Sequence, residues 1–391
     1  MWINARPDIE WKDIYFGVKS CFCNYKEQSD VYASQIQSTW SITEEAFPCY
    51  SLFTGIDLVL KTMQYRAGTE ILIPSIINPG IKEVISLNKC NSIPYEINLM
   101  DMSPEIESVK SLITDKTKAI YVSHMFGGRF IMDTLLDIIK KRNLLIIEDC
   151  SRLFSFQNYR GHSRADVSLF SFSRSQTATA LGGAIVHIKD SSKRMWAIAI
   201  NSGYSVQNTY DYLLEIIRSG CKMIFSYKLI YTWGQKICKI CKLRKTYKKV
   251  TLNKFKKSLL LENIQKRPSI PLLKMMLRRI TRYDYMRIVK RKLYGEKLLR
   301  ILEDSYDCIG SKAIDHSYKV FPIVVNNPHE IKRKMRKLGY HVINMNDFIF
   351  IKKNNSVSKS LEERILYLPF YPEIPSEEIE RMGRCLCKLS E

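Results

Sequence analysis

Between residues 50 and 190, short apolar runs alternate with stretches of helical spacing, and no other property of the sequence restricts the fold as much. "FTGIDLVLKTMQYR" carries apolar residues at helical spacing, and "AGTEILIPS" then turns into a short strand. "NPGIKEVISLNK" is helical, "SIPYEI" extended, and "SPEIESVKSLI" opens a further helix on a serine. "KAIYVSHMFGG" is a strand that ends in a polar, glycine-rich turn. "MDTLLDIIKKRN" places basic residues in the last turn of its helix, where the dipole favours them. "LLIIEDCS" is an apolar strand closed by acids. Strands without polar alternation are covered on both faces, so the pattern predicts an α/β fold with a mostly parallel central sheet. Ligands of such sheets bind beyond the carboxyl ends of the strands. His124, Asp149 and Ser171 lie at or near those ends.

The remainder divides the chain. Residues 191–300 read as mostly helical, and "YKVFPIVVN" after His316 reads as a new strand. A helix closed by Gly339 and a last helix near the end complete the pattern. The expected division is a large domain over 1–300 and a small C-terminal α/β domain over 301–391.

Charge is concentrated. Residues 216–300 hold 25 Lys/Arg against 3 Asp/Glu, while basic and acidic residues balance elsewhere, so the whole net charge of +22 sits in this segment. Such a segment seeks anions. Tyr, Trp, Phe and Ile interleave with its lysines, which suits an anionic membrane surface better than nucleic acid, for which no motif is visible. The N-terminus carries charges within its first dozen residues, which argues against a secretory leader. No window reaches the roughly 18 apolar residues that span a bilayer. The eleven cysteines are scattered, as in a reducing cytoplasm, and the lone Cys238–Cys241 pair has no second pair or nearby histidine to complete a metal site.

"SLFSFSRSQTATALGGAIVHI", residues 168–188, is two buried strands joined by a small-residue turn. Taken in order with "RAGTEILIPS", "TDKTKAIYVSHMFGG" and "MDTLLDIIKKRNLLIIEDCSRLF", it resembles the DegT/StrS-type sugar aminotransferases, a branch of the fold type I pyridoxal-phosphate enzymes. The likeness covers roughly 45–200 and returns more weakly at 264–385. It implies a fold type I large domain, a homodimer, a nucleotide-sugar substrate and pyridoxal or pyridoxamine phosphate as cofactor.

The same resemblance assigns residues. Asp149, from the "EDC" motif, would meet the cofactor's ring nitrogen, where a carboxylate keeps the ring cationic and able to accept carbanion electrons. Ser171 would meet the cofactor phosphate. Thr54 and Gly55, before the "GIDLVLKTM" helix, stand where the family usually has Ser-Gly-Thr as the phosphate cradle. "IINPG" offers no aromatic to stack on the ring, and Arg152, where an amide or histidine is common, would prefer an anion. The family pattern is Ser-Phe, three residues, then the lysine that forms a Schiff base and shuttles the proton. Here Gln176 stands at the lysine position. An amide is no useful nucleophile, and loss of acid–base action alone costs on the order of 10²–10⁴ in rate. The pattern therefore predicts a homologue degenerate for transamination, with cofactor held non-covalently if bound. Gln176 reads as the vestige of the lysine site, or as a replacement of the kind that traps cofactor adducts. Two further readings stay open: a pyridoxamine-phosphate-dependent, dehydratase-like enzyme with His124 as base, and a non-catalytic protein of the cytoplasm that uses 216–300 to meet a membrane surface or a partner.

Overall fold

The computed structural model describes residues 1–4, 6–23, 29–41, 45–154, 159–232, 262, 264–345, 347–351 and 361–389. The segment 233–261, within the basic stretch, lies outside the described residues, and Cys238 and Cys241 with it.

The apolar runs form the strands they predict. The central sheet contains β1 (Ala46–Cys49), β2 (Glu70–Pro74), β3 (Asn91–Tyr95), β4 (Thr117–Ser123), β5 (Leu145–Asp149), β6 (Val167–Ser171) and β7 (Ala184–Ile188), in the order β1-β7-β6-β5-β4-β2-β3. β3, β2, β4, β5 and β6 run parallel, and β7 is antiparallel to both β6 and β1. Successive side chains point to opposite faces. Ala119, Tyr121 and Ile147 join one core with the helices α1 (Leu52–Met63) and α2 (Pro79–Leu87). Ile120, Val122 and Ile146 join another with α3 (Ile106–Leu112) and α4 (Asp133–Lys141). Helices on both faces explain why these strands lack polar alternation.

Local signals set the helix starts. Ser51 caps α1 by accepting from the Thr54 N–H at 3.1 Å, and Asn78 caps α2 ahead of Pro79. Gly55 lies where α1 packs directly on the sheet: a Cβ there would stand 2.8 Å from a Val186 methyl.

The last part of the chain forms a smaller three-stranded antiparallel sheet of Phe321–Val324, Ile365–Leu368 and Ile343–Asn344. Its core takes Leu298 and Leu302 from the long helix Met286–Leu302, and Trp2 and Ile3 from the start of the chain. The N-terminal strand of residues is thus bound to the last sheet: Trp2 N–H donates to the Gly339 carbonyl at 2.7 Å and Asn4 donates to the Tyr367 carbonyl at 2.8 Å. Among the described residues no helix is long and apolar enough to cross a membrane.

Candidate functional site

The parallel strands bring Ser123, Asp149 and Ser171 to one edge of the sheet. Ser123 is in register with Asp149, and Asp149 with Leu169, two residues before Ser171. Asp149 is 3% exposed. Its Oδ2 accepts from the Tyr121 hydroxyl at 2.6 Å and from Ser123 Oγ at 3.1 Å, and its Oδ1 accepts from the Ser151 N–H at 2.9 Å. A carboxylate has about four lone-pair sites, so Oδ1 keeps capacity for one further donor. Ser171 Oγ accepts from the Ser173 N–H at 3.3 Å and its own proton has no acceptor among the described residues.

His124 belongs to a different set. It follows Ser123, just as Glu148 precedes Asp149, and the strand alternation puts the two carboxylates on opposite faces. His124 Nε2 meets Glu148 Oε1 at 2.9 Å with both side chains wholly buried. Glu148 also accepts from the Tyr159 hydroxyl, the His162 N–H and the Ser168 hydroxyl. Burial works against the Glu148 charge, but these donors, His124 first, hold its carboxyl down at about 2. Cys150 lies within 4.8 Å of this pair. Burial, with the charges of Glu148 and Asp149, pushes its thiol well above its ordinary value. The structure places His124 with Glu148, not with Asp149.

Thr54 and Gly55 are turned into the protein. The Thr54 hydroxyl donates to the Ile264 carbonyl at 2.8 Å and pairs with Ser51 Oγ at 2.9 Å. Gly55 is consumed by the close approach of α1 to Val186 and Leu169.

Gln176 sits in the turn after β6. It is 6% exposed, its N–H donates to the Ser173 carbonyl at 3.0 Å, and its side-chain Oε1 has no hydrogen-bond partner among the described residues. The turn carries two non-glycine residues in the left-handed region, Ala178 at φ 52° and Leu181 at φ 67°. Such backbone persists only where its surroundings impose it. Asp8 supplies part of that constraint. Its Oδ2 accepts from the Ala178 N–H at 3.2 Å, the Tyr283 hydroxyl at 2.7 Å and Arg291 at 3.0 Å, and its Oδ1 accepts from Arg287 at 2.7 Å. Arg291 in turn donates to Thr177 Oγ1 at 3.1 Å. Burial opposes the Asp8 charge, yet the surrounding cations hold its carboxyl well below the usual carboxylate range. Arg278 and Arg279 similarly converge on the buried Asp13. Part of the basic stretch 216–300 therefore faces inward and is neutralised by two aspartates from the start of the chain. Nothing in the sequence singles out Asp8. The four-residue spacing of Arg287 and Arg291 was the available signal, since it puts both on one helix face.

Beside the turn lies a cavity of about 500 Å³ between the two sheets, lined by Ser173, Arg174 and Ser175, by Arg6, Arg152, Lys222 and Lys319, and by Asp347 and Tyr367. Arg6 is paired with Glu373, Arg152 with Asp347, and Arg174 with Glu215. The anion expected beside Arg152 is met by the chain's own Asp347, which also accepts from the Tyr367 hydroxyl at 2.7 Å. Lys319 makes no hydrogen bond or ion pair with a described residue. Burial lowers its ammonium to about 8, Asp8 opposing and Arg291, Arg287 and Arg152 adding to the shift.

This fold is shared with known proteins. The aminotransferase of pseudoaminic acid biosynthesis from Helicobacter pylori superposes with a TM-score of 0.70 over 99% of this chain and 98% of its own, at 13% identity. The Escherichia coli GDP-4-keto-6-deoxy-D-mannose-3-dehydratase, solved with hydrated pyridoxal phosphate, gives 0.69 over 99% of each chain at 16% identity. At those identities the likeness concerns the fold. In sequence, the chain is 30% identical to a GDP-perosamine synthase of Caulobacter vibrioides over 155 residues, 38% of this chain and 40% of that protein. It is 29% identical to the dTDP-3-amino-3,6-dideoxy-alpha-D-galactopyranose transaminase of Aneurinibacillus thermoaerophilus over 133 residues, 32% and 36% of the two. The match thus spans about two fifths of the length of these relatives. Residues 40–229, which hold Asp149, Ser171 and Gln176, match the sequence profile of one family. That profile is the DegT/DnrJ/EryC1/StrS aminotransferase family's, and it matches just under half of the chain.

Proposed function

We propose that the chain binds pyridoxal or pyridoxamine phosphate, without a covalent bond at position 176, and acts on a nucleotide-linked sugar. The observation that carries this reading is Gln176 itself: a buried amide whose oxygen lacks a partner among the described residues, five residues after Ser171 in the turn that follows β6, the strand paired with that of Asp149. Buried polar atoms are seldom left unpaired, so an orphan at a strand edge of this fold points to a ligand.

The donor set fits the cofactor. Asp149 Oδ1 retains room for one ring N–H, and its position is fixed by Tyr121, Ser123 and Ser151. Ser171 has a hydroxyl proton to give to a phosphate oxygen. Thr54 does not contribute, because its hydroxyl is bound to Ile264. When bound, the cofactor supplies an electron sink for carbanion chemistry. Gln176 can orient a neighbouring group through its amide but cannot move a proton near neutral pH. The cation-lined cavity beside the turn suits the phosphates of a nucleotide sugar. The sugar-nucleotide names of the relatives, together with the match over residues 40–229, support that substrate class. A homodimer remains the expected assembly.

Equilibrium titration of the full chain with pyridoxamine phosphate, against Asp149→Ala, tests the reading. Saturable binding that weakens at least tenfold in the variant is expected. No saturable binding of either cofactor form to the wild-type chain overturns it.

A further inference from the structure

We infer that Lys319, in the cation-lined cavity beside position 176, is the amine through which this chain captures a pyridoxal-type aldehyde. The inference rests on the cofactor reading above and concerns which residue bonds to the aldehyde.

Three observations converge. First, the site lacks an amine where the family motif places one, and Gln176 cannot substitute for it. Second, Lys319 lines the same cavity as Ser173, Arg174 and Ser175, the residues that lead into Gln176. It also lies within electrostatic reach of Asp8, which accepts from the N–H of Ala178, two residues after Gln176. Third, the other cationic linings are unsuited. Arg6, Arg152 and Arg174 are guanidinium groups already paired with carboxylates, and Lys222 is exposed. Lys319 is only partly exposed and has no ion-pair partner among the described residues.

Its surroundings favour the reactive form. Asp8 is the acid that acts most on Lys319, and Asp347, already bound by Arg152 and Tyr367, lines the same cavity; Arg152, Arg287 and Arg291 are the cations that bear on it. Asp8 holds the ammonium, but burial outweighs it, and Arg291, Arg287 and Arg152 act in the same direction as burial. Burial beside three guanidinium groups favours the neutral amine, the species that attacks a carbonyl. The step balances without an outside reagent: Nζ bonds to the aldehyde carbon, the carbonyl oxygen leaves as water, and one C=N bond remains.

The test treats the full chain with pyridoxal 5′-phosphate, reduces with borohydride, and maps the tagged peptides by mass spectrometry. Wild-type chain is expected to carry the tag mainly at Lys319, with half-maximal tagging near pH 8 and exposed lysines reacting only at higher pH. Lys319→Ala and Lys319→Arg should lose at least tenfold of that tag while still binding pyridoxamine phosphate. Tagging spread over exposed lysines, with Lys319 unmodified in the wild-type chain, overturns the assignment even if the variants fail to fold. If pyridoxamine phosphate binds and Lys319 is not tagged, only the lysine assignment falls. If neither cofactor form binds, the functional reading falls with it.

Discussion

Asp8 and Arg291 meet at 3.0 Å, both all but sealed from solvent, across 283 residues of sequence. The pair ties the start of the chain to the helix Met286–Leu302, and through Ala178 and Thr177 it also holds the turn that carries Gln176.

Removing the Asp8 carboxylate leaves Arg287 and Arg291 buried without their shared anion. Asp8→Ala should cost about 3–5 kcal/mol of stability, read from urea unfolding. The pH dependence has a definite sign. The folded-state carboxyl lies well below the ordinary 3.8, so its contribution is complete above about pH 4 and is lost as the pH falls further. The gap between wild type and Asp8→Ala should therefore narrow below about pH 4. A gap that is constant from pH 7 to pH 3 would contradict this account.

His316 controls a separate window. Burial, only partly offset by Asp315 and reinforced by Lys292, pushes its ring down to about 4, and its Nδ1 accepts from the Tyr318 N–H at 2.9 Å. The unfolded chain takes up that proton first, near pH 6.5, so stability should fall between about pH 6.5 and pH 4 by roughly 3 kcal/mol at most. His316→Asn should flatten this limb, as measured by urea midpoints at pH 7 and pH 4.5. An unchanged slope in the variant would assign the limb to other groups.

Gly183 closes the turn that begins at Ser171. Its φ is +83°, and a Cβ would stand 2.3 Å from the Met276 sulfur. Its N–H donates to the Tyr50 carbonyl, and its carbonyl accepts from Phe172. Gly183→Ala adds left-handed strain to overpacking and should cost on the order of 1–3 kcal/mol in thermal unfolding. A loss under about 0.5 kcal/mol would mean that the turn relaxes freely.

The sequence made the sheet legible because burial on both faces leaves long apolar runs, as in "LLIIEDCS". It also located the strand ends, and with them Asp149 and Ser171. Roles that depend on rotation about a single helix turn were not legible in the same way. Thr54 and Gly55 stand at the start of α1, yet one is spent on Ile264 and the other on close packing against Val186. His124 follows Ser123 directly, and one residue of strand alternation is enough to send it to Glu148. The charge excess in 216–300 reads as a surface property, but Arg279 and Arg291 are almost wholly buried on Asp13 and Asp8. Those pairings span more than 260 residues and leave no local pattern to read.

The attachment of Trp2, Asn4 and Asp8 to Gly339, Tyr367 and Arg291 joins segments that lie 283 residues or more apart. Contacts of such separation are costly to close, because the chain between them must give up its freedom before they form. The chamber around Lys319, one wall of which is Asn4, Arg6 and Pro7, is therefore whole only when both distant segments have come together.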